Sequence, residues 1–194
     1  MPIFHSSLDQ TAYTVVYLAW IATFFVERVI IATGVQRATR RVADRGSALL
    51  IVLSIFGSVT IVYEFAALDV APLPHAWFYV GLTMMVLGIA LRLWAVSTLR
   101  SFFSYVVRIK EGHRVVRDGP YRFIRHPAYA GSLLTILGIG FALQTWGGVL
   151  VLAVVFGLAF GYRIKVEEKA LVAALGEEYV AYAKTTKRLI PFVF

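Results

Sequence analysis

Apolar positions along this chain gather into five runs, separated by short breaks marked with polar residues, Gly and Pro. The first run covers 11–31 and is followed by Gly34, with Ser7 or Asp9 available to cap its start. The second covers 46–68 and ends in a turn segment, 69–74, that holds Asp69, Pro72 and Pro74. The third covers 75–99. Each of these three reaches the roughly 20 residues needed to cross the hydrocarbon of a bilayer. A fourth run, 128–143, is short for a span. The fifth is most apolar over 149–161 and is predicted to stay helical through 175. Only the short link 144–148 separates the last two runs, which predicts a helical hairpin. Backbone polar groups in lipid must be satisfied within their own segment, so the runs predict helices and not open strands. The fold class expected is all-α: a multi-pass membrane protein with about five transmembrane helices. Three of these lie in 1–99. The remainder, 100–194, divides into a connector (100–127), the hairpin (128–175) and a tail (176–194).

Composition supports this picture. Hydrophobic residues make up 59% of the 194, against roughly 45–50% in soluble domains, and mean hydropathy is +0.75. There is no cysteine, which excludes disulfides, thiolate chemistry and cysteine-bound metals. The first ten residues contain no Lys or Arg, so the basic start of a secretory signal is not expected. The net charge of +8 acquires meaning from its placement. All but two of the 19 Lys and Arg residues lie in three segments: between the first and second runs, between the third and fourth, and after 161. The N-terminus and the segments 69–74 and 144–148 have none. The positive-inside rule then puts the N-terminus outside and the C-terminus in the cytoplasm, as an odd number of crossings requires. A basic balance of this kind belongs to a membrane protein, and no nucleic-acid partner is expected.

The connector 100–127 is longer than structureless loops in compact domains usually are. It carries turn signals at Asp118-Gly119-Pro120 and His126-Pro127. Its recurring apolar and aromatic residues, among them Phe102, Phe103, Tyr105, Val115, Val116, Tyr121 and Phe123, argue for an ordered segment. His126-Pro127 has the form of a helix start, because proline suits the first helical position and pushes the preceding residue out of the helical region. His126 would then stand at the mouth of the fourth helix, near backbone N–H groups able to receive hydroxyls or a carboxylate. The plainer alternative is a cap and interfacial anchor, with Arg122 and Arg125 meeting lipid headgroups. Arg163 and Glu167 are four residues apart and share one helix face. They could form an ion pair at the membrane boundary. Equally, they could supply a guanidinium that fixes an anionic substrate and a carboxylate beside a cationic cofactor. Glu168 points about 100° away and is the weaker candidate. His113 by itself reads as a polar loop residue.

Other chemistries are poorly supplied. The four histidines His5, His75, His113 and His126 include no pair at ligand spacing, so no metal is expected. No Gly-rich dinucleotide loop or phosphate-binding loop occurs, which excludes a soluble Rossmann methyltransferase domain. Within the apolar runs, Glu27, Glu64 and Arg92 stand out because charge in lipid is costly. Arg92 is the deepest, and snorkelling or pairing is the expected resolution for the others. Gly157 and Gly161 form a small-residue stripe expected to pack against another helix.

Taken together, the ordered set His113-Arg114-Val115-Val116, Gly119-Pro120-Tyr121, Arg125-His126-Pro127-Ala128-Tyr129-Ala130-Gly131, Arg163 with Glu167-Glu168, then Gly176-Glu177-Glu178-Tyr179 and Tyr182 resembles the isoprenylcysteine carboxyl methyltransferase family. The resemblance covers about 100–194, and the central part of it is shared with membrane phospholipid methyltransferases and, more loosely, sterol reductases. It implies that 100–194 is a catalytic region facing the cytoplasm. It implies that S-adenosylmethionine is held by His113, Arg114, Val115, Val116, Tyr121, His126, Pro127, Ala128, Tyr129 and Glu167. It also implies that Arg163 meets the substrate carboxylate, with Arg163 and Glu167 as the catalytic pair. Tyr121 and Tyr129 would offer ring faces to adenine or to the sulfonium. The expected reaction methylates the carboxylate of a lipid-modified, isoprenylated cysteine or a similar lipophilic acid, which enters from the bilayer. That nucleophile is already ionised at neutral pH, so positioning and a dry cavity, rather than a general base, should carry the rate. The competing expectations are a phospholipid N-methyltransferase, an NADPH-dependent membrane reductase, and a non-catalytic scaffold or transporter. Against transport, the first three runs hold few interior polar residues and no half-to-half repeat is visible.

Overall fold

The computed structural model describes residues 4–32, 39–41, 46–105, 108–110 and 115–189. In chain order the elements are α1 (Ser7–Ala32), β1 (Thr39–Arg41), α2 (Ser47–Ala67), α3 (Ala76–Leu99), β2 (Arg108–Lys110), α4 (Pro127–Ala142), α5 (Trp146–Leu175) and α6 (Glu177–Thr185). Short 3-10 turns occupy Arg100–Phe102 and Gly119–Arg122. The two strands pair antiparallel, with Arg40 opposite Ile109, and form the only sheet among the described residues.

Four helices, α1, α2, α3 and α5, are long and apolar enough to cross a membrane. α4 has 16 residues and a length of roughly 24 Å, less than the ~30 Å of hydrocarbon. Its lipid exposure is limited by its neighbours, since it packs between α3 and α5. Several ends differ from the sequence expectation. α1 begins at Ser7, and its cap is Ser6, whose hydroxyl accepts from the Asp9 N–H at 3.1 Å. Asp9 instead turns inward and pairs with His75 at 3.1 Å. α5 begins at Trp146 because Thr145 caps it, its hydroxyl accepting from the Gly148 N–H, so the hairpin link is shorter than 144–148. The tail contains α6, which starts directly after Gly176, a residue with φ of 54°.

The closest helix contact is between α3 and α4, and it follows from four glycines. Gly81 and Gly88 on α3 face Gly138 and Gly131 on α4, each pair seven residues apart. A Cβ on Gly131 would stand 2.7 Å from both the Arg92 N and the Gly88 carbonyl oxygen. A Cβ on Gly138 would stand 2.7 Å from the Gly81 carbonyl oxygen. Small residues permit this backbone approach, which gives helices in lipid their dispersion contact. The stripe expected at Gly157 and Gly161 does not serve this purpose: a Cβ at either meets nothing within 4 Å. At one end of the bundle the turn 69–74 and the α4–α5 link are tied together. The Trp146 N–H donates to the Ala71 carbonyl and the Leu73 N–H to the Gln144 carbonyl, both at 2.8 Å. The groups around Arg125–Tyr129 and around Arg163, Glu167 and Glu168 lie towards the other end.

Two of the charges within the spans, Glu27 and Arg92, pair with each other. Glu27 on α1 is completely buried and Arg92 on α3 nearly so. Arg92 grips the carboxylate with two bonds, Nε to Oε1 at 2.6 Å and a terminal nitrogen to Oε2 at 2.8 Å. Its other nitrogen donates to the Ser132 hydroxyl of α4 at 2.7 Å. Pairing of this geometry is what makes two charges tolerable at such depth.

Candidate active site

The start of α4 is built as the sequence implies. Pro127 is its first residue, and His126 caps it with φ −124° and ψ 55°, outside the helical region. The His126 ring does not bond back onto the helix; its Nε2 lies 3.3 Å from the Glu168 carboxylate. The backbone around it is held by the tail, with the Arg125 N–H donating to the Lys187 carbonyl at 2.7 Å and the His126 N–H to the Arg188 carbonyl at 3.0 Å.

Glu168, ranked below Glu167 from sequence, is the hub of this end of the molecule. One carboxylate oxygen takes the Arg125 Nε at 3.0 Å and faces His126; the other takes Arg188 at 2.9 Å. Arg125 also donates to the carbonyls of Ala183 and Thr186. Arg125 is therefore an internal strut joining α4, α5 and the tail, and not an anchor in lipid headgroups. Arg122 is exposed and lies over the Phe123 ring. Helix periodicity placed Glu168 away from Arg163 correctly, but nothing local revealed that Arg125, His126 and Arg188 converge on it.

Arg163 and Glu167 are brought together through a third residue. Arg163 is 2% exposed, which rules out a surface ion pair at the membrane boundary. Its Nε donates to the Tyr129 hydroxyl at 3.0 Å, and that hydroxyl donates to Glu167 Oε2 at 2.7 Å. A terminal nitrogen of Arg163 donates to the Tyr105 carbonyl at 2.9 Å. The Tyr129 ring rests against His126 on one side and Phe160 on the other. Tyr105 was noted in the sequence only as an apolar residue of the connector. Its hydroxyl reaches Glu27 at 2.6 Å, and burial together with that bond raises it above the ordinary tyrosine value, so it stays a donor.

Of the remaining implied residues, His113 and Arg114 lie outside the described residues. The Val115 N–H donates to Glu178 at 3.2 Å. Val116 packs with Leu99 and Phe103 on a small core of Ala95, Tyr121 and Ala128. Val115 and Val116 also border a polar cavity of about 400 Å³, shared with Arg100 and Arg117. Burial, with a smaller contribution from the Glu167 charge, pushes the Tyr121 hydroxyl well above its usual range. Its carbonyl accepts from the Tyr182 hydroxyl at 2.6 Å. The Ala128 carbonyl accepts from Ser132 at 2.9 Å. Tyr179, on α6, is buried and its hydroxyl has no hydrogen-bond partner among the described residues. Burial raises it, as do the charges of Glu168 and Glu167. A buried phenol without a partner is costly, and this one lies in the field of the Glu167–Glu168 face.

Burial also pushes the Tyr182 hydroxyl up, to about 12. The unfolded chain loses this proton near pH 10. The stability from the neutral, buried phenol is thus complete below pH 10 and is lost as pH rises towards 12. The thermal midpoint in detergent should be level up to about pH 10 and fall between there and about 12, with Tyr182→Phe flattening that decline. A midpoint that falls equally in both proteins would mean another group is responsible.

A cavity of about 410 Å³ opens beside Arg163. Trp20 and Phe24 of α1, Ile51, Val52 and Ile55 of α2, and Ile136 and Phe160 form its apolar wall. Arg163, Tyr129, Arg92, Ser132 and Tyr105 form its polar end, with Arg28 also on its lining. Spanning helices around a pocket lined by apolar side chains together with the polar residues beside Arg163 define a multi-pass membrane protein with an internal cavity at a buried guanidinium.

Residues 80–173 match the isoprenylcysteine carboxyl methyltransferase (ICMT) family. Over 188 residues the chain is 30% identical to protein-S-isoprenylcysteine O-methyltransferase B of Arabidopsis thaliana, covering 93% of each protein. It is 33% identical to the protein-S-isoprenylcysteine O-methyltransferase of Schizosaccharomyces pombe, over 58% of this chain and 49% of that protein. The fold resembles the solved structure of the eukaryotic intramembrane Ras methyltransferase ICMT, with a TM-score of 0.59 and 28% identity. That likeness covers 75% of this chain, which spans about half the length of the solved one (52%). The chain belongs to the isoprenylcysteine carboxyl methyltransferase family, and is a multi-pass membrane methyltransferase.

Proposed function

We propose that the protein uses S-adenosylmethionine to methylate the carboxylate of an isoprenylated cysteine or a similar lipophilic acid within the membrane. The observation that carries this reading is the cavity of about 410 Å³ lined by apolar residues of α1, α2, α4 and α5 together with the buried Arg163. An isoprenyl chain suits the apolar length, and a carboxylate suits a guanidinium held by a hydrogen bond on each of two sides. The acceptor would enter from the bilayer, the cofactor from the cytoplasm, with the N-terminus outside and the C-terminus inside. The names of the Arabidopsis and fission-yeast relatives support the same acceptor.

The residues around Glu167 fit the cofactor's chemistry. A carboxylate, the buried ring of Tyr121, and the unsatisfied Tyr179 hydroxyl offer acceptor, π-face and donor to a molecule carrying an adenine, ribose hydroxyls and positive charge. The segment from His113 to Val116 and the α4 start from His126 to Tyr129 complete the proposed set. When bound, the cofactor supplies an electrophilic methyl group. The chain's own part is to hold Glu167 through Tyr129, to aim Arg163 at the acceptor oxygen that does not react, and to keep water out of the cavity. No residue needs to take a proton, because the acceptor is a carboxylate.

Two measurements on the detergent-solubilised protein test this. Titration with S-adenosylmethionine should show saturable binding, and its absence would remove the cofactor. With an isoprenyl thioether of N-acylated cysteine as acceptor, the transfer rate should vary little between pH 6 and 8, well above carboxyl values of roughly 3.3–4.3. An amine acceptor, as in a phospholipid N-methyltransferase, must first lose a proton, so its rate would drop about tenfold per pH unit below the amine value. A profile of that kind, or methylation of phospholipid amines in preference to the acid, would transfer the chain to the second reading.

A further inference from the structure

Glu27, Arg92 and Tyr105 have no part in the reaction outlined above, yet they are bonded to its centre. Five segments meet here. Glu27 of α1 is fully buried and is gripped at both oxygens by Arg92 of α3, at 2.6 and 2.8 Å. Arg92 is steadied by Ser132 of α4 and lies over the rings of Phe24 and Phe103 at 5.7 and 5.8 Å. Tyr105, in the connector, spends its hydroxyl on Glu27 Oε2 at 2.6 Å and its carbonyl on the Arg163 guanidinium at 2.9 Å. Arg92, Tyr105, Ser132 and Arg163 all border the cavity.

The geometry bears on how Arg163 is aimed, because an arginine side chain must lose rotamer freedom before its planar fork is fixed. Tyr129 fixes one edge. The Tyr105 carbonyl fixes another, but it belongs to a residue outside any helix or strand and 37% exposed. The Tyr105 hydroxyl ties that residue to a carboxylate which Arg92 holds at both oxygens. If Glu27 and Arg92 served the bundle alone, their pairing would be complete without Tyr105. We infer that Glu27 and Arg92 are positioning residues that aim Arg163 at the acceptor carboxylate, with Tyr105 as the relay between them. This rests on the proposal that Arg163 meets that carboxylate.

Tyr105→Phe removes the hydroxyl and keeps the ring. In the full-length protein, the KM for the isoprenyl-thioether acid should rise about tenfold, the equivalent of one misaligned charge-assisted hydrogen bond. The change in kcat should be less than about twofold, as for lost binding that ground and transition states share. Affinity for S-adenosylmethionine should be unchanged, the thermal midpoint should fall only modestly for the one hydrogen bond lost to the Glu27 carboxylate, and equilibrium binding of the acid without cofactor should weaken by the same factor as KM. In an Arg163→Ala background, Tyr105→Phe should add nothing, because the element it aims is gone. Glu27→Gln should raise the same KM, and adding Tyr105→Phe to it should have no further effect. The inference is overturned if Tyr105→Phe leaves the acceptor KM within twofold of wild type, if its effect multiplies with that of Arg163→Ala, or if its loss appears in kcat and thermal midpoint alone. A different result, in which Arg163→Ala itself spares acceptor binding, would instead bring down the carboxylate reading on which the inference stands.

Discussion

Arg163→Ala is expected to lower kcat/KM for the lipophilic acid by between about 30-fold and about 5,000-fold while leaving affinity for S-adenosylmethionine within a few-fold of wild type. The lower figure corresponds to about 2 kcal/mol and the upper to about 5 kcal/mol, the usual cost of removing one member of a desolvated, hydrogen-bonded charge pair. The guanidinium is 2% exposed, so water cannot replace it cheaply once an acceptor carboxylate is in the cavity. The Tyr129–Glu167 bond, at 2.7 Å, does not depend on Arg163 and should survive, which is why the cofactor side is spared. Arg163→Lys keeps the charge but offers a point donor in place of a planar fork, and should fall between the two. Steady-state kinetics with purified protein decide the matter. If kcat/KM changes by less than threefold while the protein folds normally, Arg163 does not meet the acceptor.

Gly131→Leu is expected to abolish the folded protein. Replacing a helical glycine normally gains up to ~1 kcal/mol of helix propensity. Here even a Cβ would sit 2.7 Å from the Arg92 N and the Gly88 oxygen. These are backbone atoms of a helix packed along its length, so they cannot swing aside as a side chain would. Overpacking commonly costs 1–3 kcal/mol, and a forced backbone separation should exceed that, against a total stability of roughly 5–15 kcal/mol. Gly157→Leu is the control, since a Cβ there meets nothing within 4 Å and the variant should be close to wild type. Thermal unfolding and size-exclusion profiles in detergent compare them. A Gly131→Leu protein that remains monodisperse with an unchanged midpoint would mean that α3 and α4 are not in backbone contact.

These glycines show how far the sequence could be read. Gly157 and Gly161 matched a known local spacing and drew attention. The seam itself, Gly81 and Gly88 against Gly131 and Gly138, follows a seven-residue repeat split between two helices 50 positions apart, and no window along one helix displays it. Gly131 did appear as the last residue of the motif beginning at Arg125. The structure gives that position a packing reason: only a residue without a side chain lets α4 bring Tyr129 and Ser132 up to Arg92 and Arg163. Likewise Glu27 and Arg92 were visible as costly charges in apolar runs, and pairing was one expected outcome. That they pair with each other, and that Tyr105 joins them to Arg163, depended on α1, α3 and the connector meeting.

Local sequence therefore determined the rough extent of α1 to α5, though not α6 in the tail, the break at His126-Pro127, and the placing of Arg163 and Glu167 on one helix face. Each of these follows from interactions within about a turn of helix or within the thickness of a bilayer: run length, proline geometry, side-chain periodicity. Tertiary structure alone decided that Tyr129 stands between Arg163 and Glu167, that Glu168 gathers Arg125, His126 and Arg188, and that a cavity opens beside the guanidinium. The hydrogen bonds among these join residues 20 to 43 positions apart, and their geometry is fixed by how closely helix backbones can approach, a quantity that no single segment carries.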